Sequence, residues 1–180
     1  MKIIVIIIIM FSFFTKGNAQ YLKLGTDFTF NSVEGDAINL ADYKQKVILI
    51  VNVASRCGFT NQYKDLQNIW SKYKDEGLVV IGIPTNNFKQ EPGTNSDIKE
   101  FCETNFGIDF PLAEKIDVIG SNAHPFYKWA NKNYGLKAIP KWNFHKIVIN
   151  KEGKVASSFG SITNPSSKKF IDFIENQIRM

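Results

Sequence analysis

The stretch Val47-Ile48-Leu49-Ile50-Val51-Asn52-Val53 constrains the fold of this chain more than any other. Its residues are nearly all aliphatic and mostly β-branched, and they do not alternate between apolar and polar. Such a run reads as a strand buried on both faces, which puts it at the centre of a sheet covered by helices. Leu78 to Ile83 repeats the pattern. Between the two runs, Tyr63, Leu66, Trp70 and Tyr73 recur at helical spacing, and Gly77 closes that helix. Strand, helix and strand in this order make a crossover unit.

The remaining elements follow the same logic. Phe28-Thr29-Phe30 is a short opening strand, and Asn95 or Ser96 is placed to cap a helix carrying Ile98, Phe101, Cys102 and Phe106, ended by Gly107. His124 to Asn133 reads as a short helix with Pro125 in its first turn. Phe144–Asn150 and Lys154–Gly160 flank Lys151-Glu152-Gly153 as a hairpin, and Pro165 is expected to open a last helix with Phe170, Ile174 and Ile178 in line. With 180 residues, 44% hydrophobic and 22% charged, the chain can bury one core, and disorder is excluded. No linker or repeat divides it. The expected architecture is α/β, a single thioredoxin-like domain with a central mixed sheet flanked by helices.

The N-terminus stands apart. After Met1-Lys2, an almost unbroken apolar run extends from Ile3 to Phe14, and Thr15-Lys16-Gly17-Asn18-Ala19 then turns polar and small. The run is short for a bilayer span, which takes about 20 residues, but suits the core of a signal peptide. Gly17 and Ala19 stand two apart, as a signal-peptidase site requires. Residues 1–19 are therefore expected to be a signal peptide, residues 20–180 the exported domain, and no membrane span is expected after cleavage. Cleavage removes Lys2 and Lys16 and no acid, so the formal charge of +5 falls to +3. That mild excess lacks the clustered basic stripe of a nucleic-acid binder, and Lys168-Lys169 reads as a solvated helix face.

Two cysteines cannot build a disulfide framework, nor close a structural zinc site by themselves. Cys57 falls on the connection between the first buried strand and the helix after it. The unpaired N–H groups at a helix start and the neighbouring Arg56 both favour a thiolate, the nucleophilic form. Gly58 is expected to let the backbone turn tightly and leave the sulfur uncovered. Burial as a small hydrophobe is the alternative fate of a free cysteine.

The wording around this cysteine is informative. Val51-Asn52-Val53-Ala54-Ser55-Arg56-Cys57-Gly58-Phe59-Thr60 closely resembles the active-site signature of the glutathione peroxidase family, in its cysteine form. Pro84-Thr85-Asn86-Asn87-Phe88-Lys89-Gln90-Glu91-Pro92-Gly93 is similar to the family's second signature, and Lys141-Trp142-Asn143-Phe144 to its third. The resemblance runs from about Tyr21 to the C-terminus. It implies a thioredoxin-like fold and reduction of hydroperoxides by thiols. It also implies a catalytic tetrad of Cys57, Gln90, Trp142 and Asn143. Such donors make sense around a thiolate that attacks an O–O bond, because a developing alkoxide needs fixed N–H groups. The chain departs from the pattern in the second signature. The family commonly has Cys at Thr85, Gln at Asn87, and one more Gly between Phe88 and Lys89.

Phe101-Cys102-Glu103-Thr104-Asn105-Phe106, followed by Phe110-Pro111-Leu112, resembles the segment that carries the resolving cysteine of thioredoxin-dependent members. The resemblance thus implies that Cys102 condenses with a Cys57 sulfenic acid, after partial unwinding of its helix. A thioredoxin-like protein is the implied reductant, ahead of glutathione. Sixteen residues separate Pro125 from Trp142, without the insertion that tetrameric members use for contact, so a monomer with an open Cys57 site is expected. His124 and His145 have no companion at ligand spacing, and His145 is expected to face solvent. With no phosphate loop or metal set, the chemistry expected is cofactor-free. A non-catalytic thioredoxin-fold binding domain with a structural Cys57–Cys102 disulfide is the alternative.

Overall fold

The computed structural model describes residues 21–180; the expected signal peptide lies outside the described residues. A small antiparallel hairpin, β1 (Thr29–Asn31) with β2 (Ala37–Asn39), precedes the main sheet. The first run forms β3 (Val47–Val53), and α1 (Gln62–Tyr73) carries the chain to β4 (Leu78–Pro84). Then come α2 (Asn95–Phe106), α3 (Pro125–Tyr134), β5 (Lys146–Ile149), β6 (Val155–Phe159) and α4 (Lys168–Arg179). The sheet order is β4-β3-β5-β6, with β3 parallel to β4 and antiparallel to β5, and β5 antiparallel to β6. This is a mixed, thioredoxin-like sheet, as the element order implies.

Burial explains the unbroken apolar runs. Val47, Leu49, Val51 and Val53 pack with α1, α2 and α4, through residues such as Leu66, Ile98 and Ile174. Ile48 and Ile50 face the other way, onto α3 and the β1–β2 hairpin, through Phe126, Ala130, Phe30 and Ile38. Successive side chains of a strand point to opposite faces. Two covered faces therefore need an apolar residue at nearly every position.

Several boundaries differ from those expected. Helix α2 is capped by Thr94 rather than Asn95 or Ser96: the Thr94 Oγ1 accepts from Asp97 N (3.2 Å), and Asp97 Oδ2 accepts from Thr94 N (2.8 Å). That reciprocal pair satisfies two amides that the first turn would leave free. Pro165 does not open α4. The Asn164 side chain accepts from Ser166 N (2.8 Å) and its carbonyl from Ser167 N (3.0 Å), so a turn occupies these positions and the helix begins at Lys168. The strand expected from Phe144 begins at Lys146, because Phe144 takes a left-handed backbone (φ 61°). The pairing strand β2 went unforeseen.

Candidate active site

Cys57 lies on the turns between β3 and α1, held mainly by Thr60. The Thr60 Oγ1 accepts from Cys57 N (3.0 Å) and sits 2.7 and 3.0 Å from the carbonyls of Cys57 and Ala54. The Cys57 side chain is not uncovered as Gly58 suggested: the residue is only 8% exposed. Helix α1 starts at Gln62, several residues on, so its first turn does not reach the sulfur. The N–H that does is that of Phe59, 3.4 Å from Cys57 Sγ.

Two further segments converge on this turn. Arg56 N donates to the Gln90 carbonyl (3.0 Å), and Glu91 accepts from both Ser55 N (2.7 Å) and Ser55 Oγ (2.9 Å) through Oε2. Burial raises the Glu91 carboxyl above the usual range, opposed by the Ser55 hydrogen bonds and the charges of Lys115 and Arg56. The shortened loop makes its turn with Lys89 in the left-handed region (φ 59°). Asn86 and Asn87 brace it: Asn86 Oδ1 accepts from Glu91 N (3.1 Å), and Asn87 Oδ1 accepts from Val118 N (2.7 Å). Asn87 Nδ2 also donates to Asp117 Oδ1 (2.6 Å).

The third segment is fastened by Asn52 at the end of β3. Asn52 Nδ2 donates to the Trp142 carbonyl (3.1 Å), and the Asn52 carbonyl accepts from Phe144 N (2.6 Å). Asn143 between them is fully buried and donates from Nδ2 to Gln90 Oε1 (2.9 Å), leaving its own Oδ1 buried without a partner. Trp142 is 41% exposed and tilts against Phe88 with ring centroids 5.4 Å apart. Three distant segments of sequence thus meet beside the turn that carries Cys57. The amides of Gln90 and Asn143 pair with each other; among the described residues, the hydrogen bond to the Cys57 sulfur is that of Phe59.

Cys102 lies fully buried on α2, in the same core cluster as Cys57, and both are free thiols. Burial pushes the Cys102 thiol up to about 11, with the Tyr63 hydroxyl pulling the other way and Glu91 and Glu103 adding to the rise. His145 is 6% exposed rather than solvent-facing, and burial, with the Lys146 charge, pushes it down to about 4. It sits just ahead of β5, its carbonyl accepting from Asn52 N (3.2 Å) at the end of β3 and its Nε2 lying 3.3 Å from Ser158 Oγ on β6. Sequence reasoning missed Glu91, Thr60 and Lys146. For Lys146 a signal was present: a lysine heading the apolar run Ile147-Val148-Ile149 must either end a strand or be buried with partners.

The sequence profile described as glutathione peroxidase matches residues 26–131. Glutathione peroxidase-like peroxiredoxin 2 of Saccharomyces cerevisiae is 47% identical over 146 residues, covering 78% of this chain and 90% of that protein. A hydroperoxy fatty acid reductase of Synechocystis is 45% identical over 147 residues, covering 77% and 87%. The crystal structure of Trgpx in apo form superposes with a TM-score of 0.70 at 36% identity, covering 88% of this chain and 97% of that one. With its three signatures linked by hydrogen bonds and matched by these relatives, the chain belongs to the glutathione peroxidase family.

Proposed function

We propose that this protein is a two-cysteine thiol peroxidase that reduces hydrogen peroxide and organic hydroperoxides in antioxidant defence. One observation carries the reading. Gln90 and Asn143, 53 residues apart in sequence, share a hydrogen bond beside the cysteine turn, whose Arg56 N–H is itself bonded to the Gln90 carbonyl. A thiol and a set of amide and indole donors, collected from three segments, is what cleavage of an O–O bond requires.

The Cys57 thiolate attacks the nearer peroxide oxygen. The S–O bond forms as the O–O bond breaks, and the departing alkoxide takes a proton to leave as an alcohol, or as water from hydrogen peroxide. Gln90, Trp142 and Asn143 supply N–H groups for the charge that develops on that oxygen. The product is a Cys57 sulfenic acid. Cys102 then displaces its hydroxyl as water and forms the Cys57–Cys102 disulfide, which an external dithiol protein of the thioredoxin type reduces, with glutathione the weaker candidate. Because Cys102 is fully buried, α2 must open locally before the second step. The chemistry uses no metal or cofactor.

The same proposal places the enzyme outside the cytoplasm as a monomer. The support is the Ile3–Phe14 run with Gly17 and Ala19 behind it, and the short segment between Pro125 and Trp142. Among the described residues, no helix is long and apolar enough to cross a membrane.

The decisive experiment separates the two thiols. Cys57→Ser should abolish peroxide reduction at every stage. Cys102→Ser should consume about one equivalent of peroxide per protein, since one thiolate offers one two-electron oxidation. It should then stall as a sulfenic acid that dimedone traps. Turnover of Cys102→Ser with thioredoxin at the wild-type rate would make this a one-cysteine enzyme. Wild-type protein that consumes no peroxide with either thioredoxin or glutathione would refute the reading altogether.

A further inference from the structure

Lys146 is a charged residue the mechanism leaves unused, and it is fully buried. Its ammonium donates to three neutral oxygens from three parts of the chain: Gln62 Oε1 at the start of α1 (2.5 Å), the Phe144 carbonyl (2.7 Å) and the Thr163 carbonyl between β6 and α4 (2.7 Å). Gln62 continues the link by donating to the Ser161 carbonyl (2.7 Å). An ammonium has three N–H donors, so this set saturates it. Burying a charge among neutral carbonyls, with no carboxylate in contact, costs enough to require a return elsewhere.

The middle contact shows where that return lies. Phe144 is held left-handed (φ 61°), a conformation that bulky residues rarely adopt, and it directly follows Asn143. Its N–H is fixed by the Asn52 carbonyl and its carbonyl by Lys146, so both sides of the strained residue are pinned. If Phe144 relaxed to an ordinary backbone, the Asn143–Phe144 peptide would swing and take the Asn143 amide away from Gln90. We propose that Lys146 is a positioning residue of the peroxidatic centre, a buried ammonium that holds Phe144 left-handed and thereby aims the Asn143 amide. The proposal rests on Cys57 being the peroxidatic thiol.

The clamp is also sensitive to pH. Burial pushes the ammonium down to about 7, with Asp65 on α1 opposing the fall. His145 beside it is itself pushed down to about 4 and so carries no charge at neutral pH. Among the described residues, Asp65 and His145 are the titratable groups whose charge is coupled to it, and its direct hydrogen-bond partners are carbonyl oxygens. Loss of one proton leaves two N–H donors for three oxygens, and one carbonyl goes without its partner.

The test compares two reactions of the same sulfur in the full-length protein. Oxidation by hydrogen peroxide needs both the thiolate and the aimed donors, whereas alkylation by iodoacetamide needs the thiolate and access. Lys146→Met, which keeps the length of the side chain without its charge, should slow oxidation of Cys57 about tenfold or more while alkylation changes by less than about twofold. In wild-type protein the ratio of the two rates should fall as pH rises through about 7, and the fall should vanish in Lys146→Met. Equal slowing of both reactions would mean general loosening, and an unchanged ratio would mean no role; either overturns the proposal. Should Lys146→Met fail to fold, Gln62→Met decides. Removing one acceptor disfavours the charged form, so the fall must move to lower pH, and an unmoved midpoint refutes the clamp. Wild-type protein whose Cys57 ignores peroxide refutes the peroxidase reading instead.

Discussion

Asn143 donates its side-chain amide to the side-chain carbonyl of Gln90 across 2.9 Å, so the second and third signatures hold each other in place beside the cysteine turn. The bond engages the Gln90 oxygen and leaves the Gln90 NH₂ group as a donor for the reaction. The two residues should therefore behave as one unit. Replacing either by Ala should slow oxidation of Cys57 by about 10²-fold, the usual cost of losing one donor to a developing anion. The double variant should be slowed by much less than the product of the single effects, since each side chain supports the other. Stopped-flow oxidation of the four proteins gives the cycle directly, and strictly multiplicative effects would show that the bond has no catalytic consequence.

Opening of α2 makes a second prediction. The proposed Cys57–Cys102 disulfide requires this helix to loosen, and the Thr94–Asp97 pair secures its N-terminal end. Thr94→Ala removes the cap at a cost of about 1 kcal/mol, which multiplies the open population about fivefold. Disulfide formation after a peroxide pulse should quicken by that factor, while oxidation of Cys57 stays at the wild-type rate. Rapid quenching followed by intact-mass analysis reads both steps. Slower disulfide formation in Thr94→Ala would show that the intact helix, not its opening, is the resolving conformation.

These two sites show how far the sequence alone could reach. The strands β3 and β4 were legible because burial on both faces leaves a mark that no other environment leaves, an apolar residue at nearly every position. The Cys57 turn was legible from its place after such a strand, and Gln90, Trp142 and Asn143 only through the resemblance of their segments to known signatures. Most of what stayed hidden depends on side chains reaching across the fold. Thr94 outcompeted Asn95 and Ser96 because Asp97 stood three residues later to complete the pair. Phe144 left the strand because Asn52 and Lys146 hold its two polar groups. Cys57 is covered by neighbours distant in sequence. The Thr94–Asp97 pair does have a local pattern, Thr-x-x-Asp, that could have been read, whereas the Asn52 contact and the cover over Cys57 have none.

Lys89 carries a third prediction. The loop is shorter than the family's usual form, and the turn it must make falls on a residue with φ 59°. A side chain there clashes with its own backbone at a cost on the order of 1 kcal/mol, which glycine does not incur. The Lys89 side chain is exposed, so little packing offsets that cost. Lys89→Gly should raise the urea midpoint by the equivalent of roughly 0.5–1 kcal/mol, the remainder going to the greater freedom of glycine in the unfolded chain. Lys89→Val should lower it. If both variants unfold at the wild-type midpoint, the loop carries no strain.

The last prediction concerns acid stability and rests on His145. Burial and the adjacent Lys146 charge push it from 6.5 down to about 4, and its Nε2 lies 3.3 Å from Ser158 Oγ. A folded-state value below the unfolded one means that, between the two, the unfolded chain binds a proton that the folded chain refuses. The stability this provides is complete above pH 6.5 and is lost as pH falls through about 4. Its size is on the order of 2 kcal/mol, allowing for relaxation around a buried site. Glu152 and Glu175 are also lowered by their partners, but Glu152 is exposed and Glu175 partly so, and they contribute little over the same range. His145→Gln keeps a polar side chain that does not titrate, so the loss of stability between pH 7.5 and 4.5 should shrink by about that amount relative to wild type. Urea unfolding at the two pH values gives the comparison, and any constant penalty of the substitution cancels in the difference. An equal loss in both proteins would show that His145 takes up its proton without leaving its place between β3 and β6.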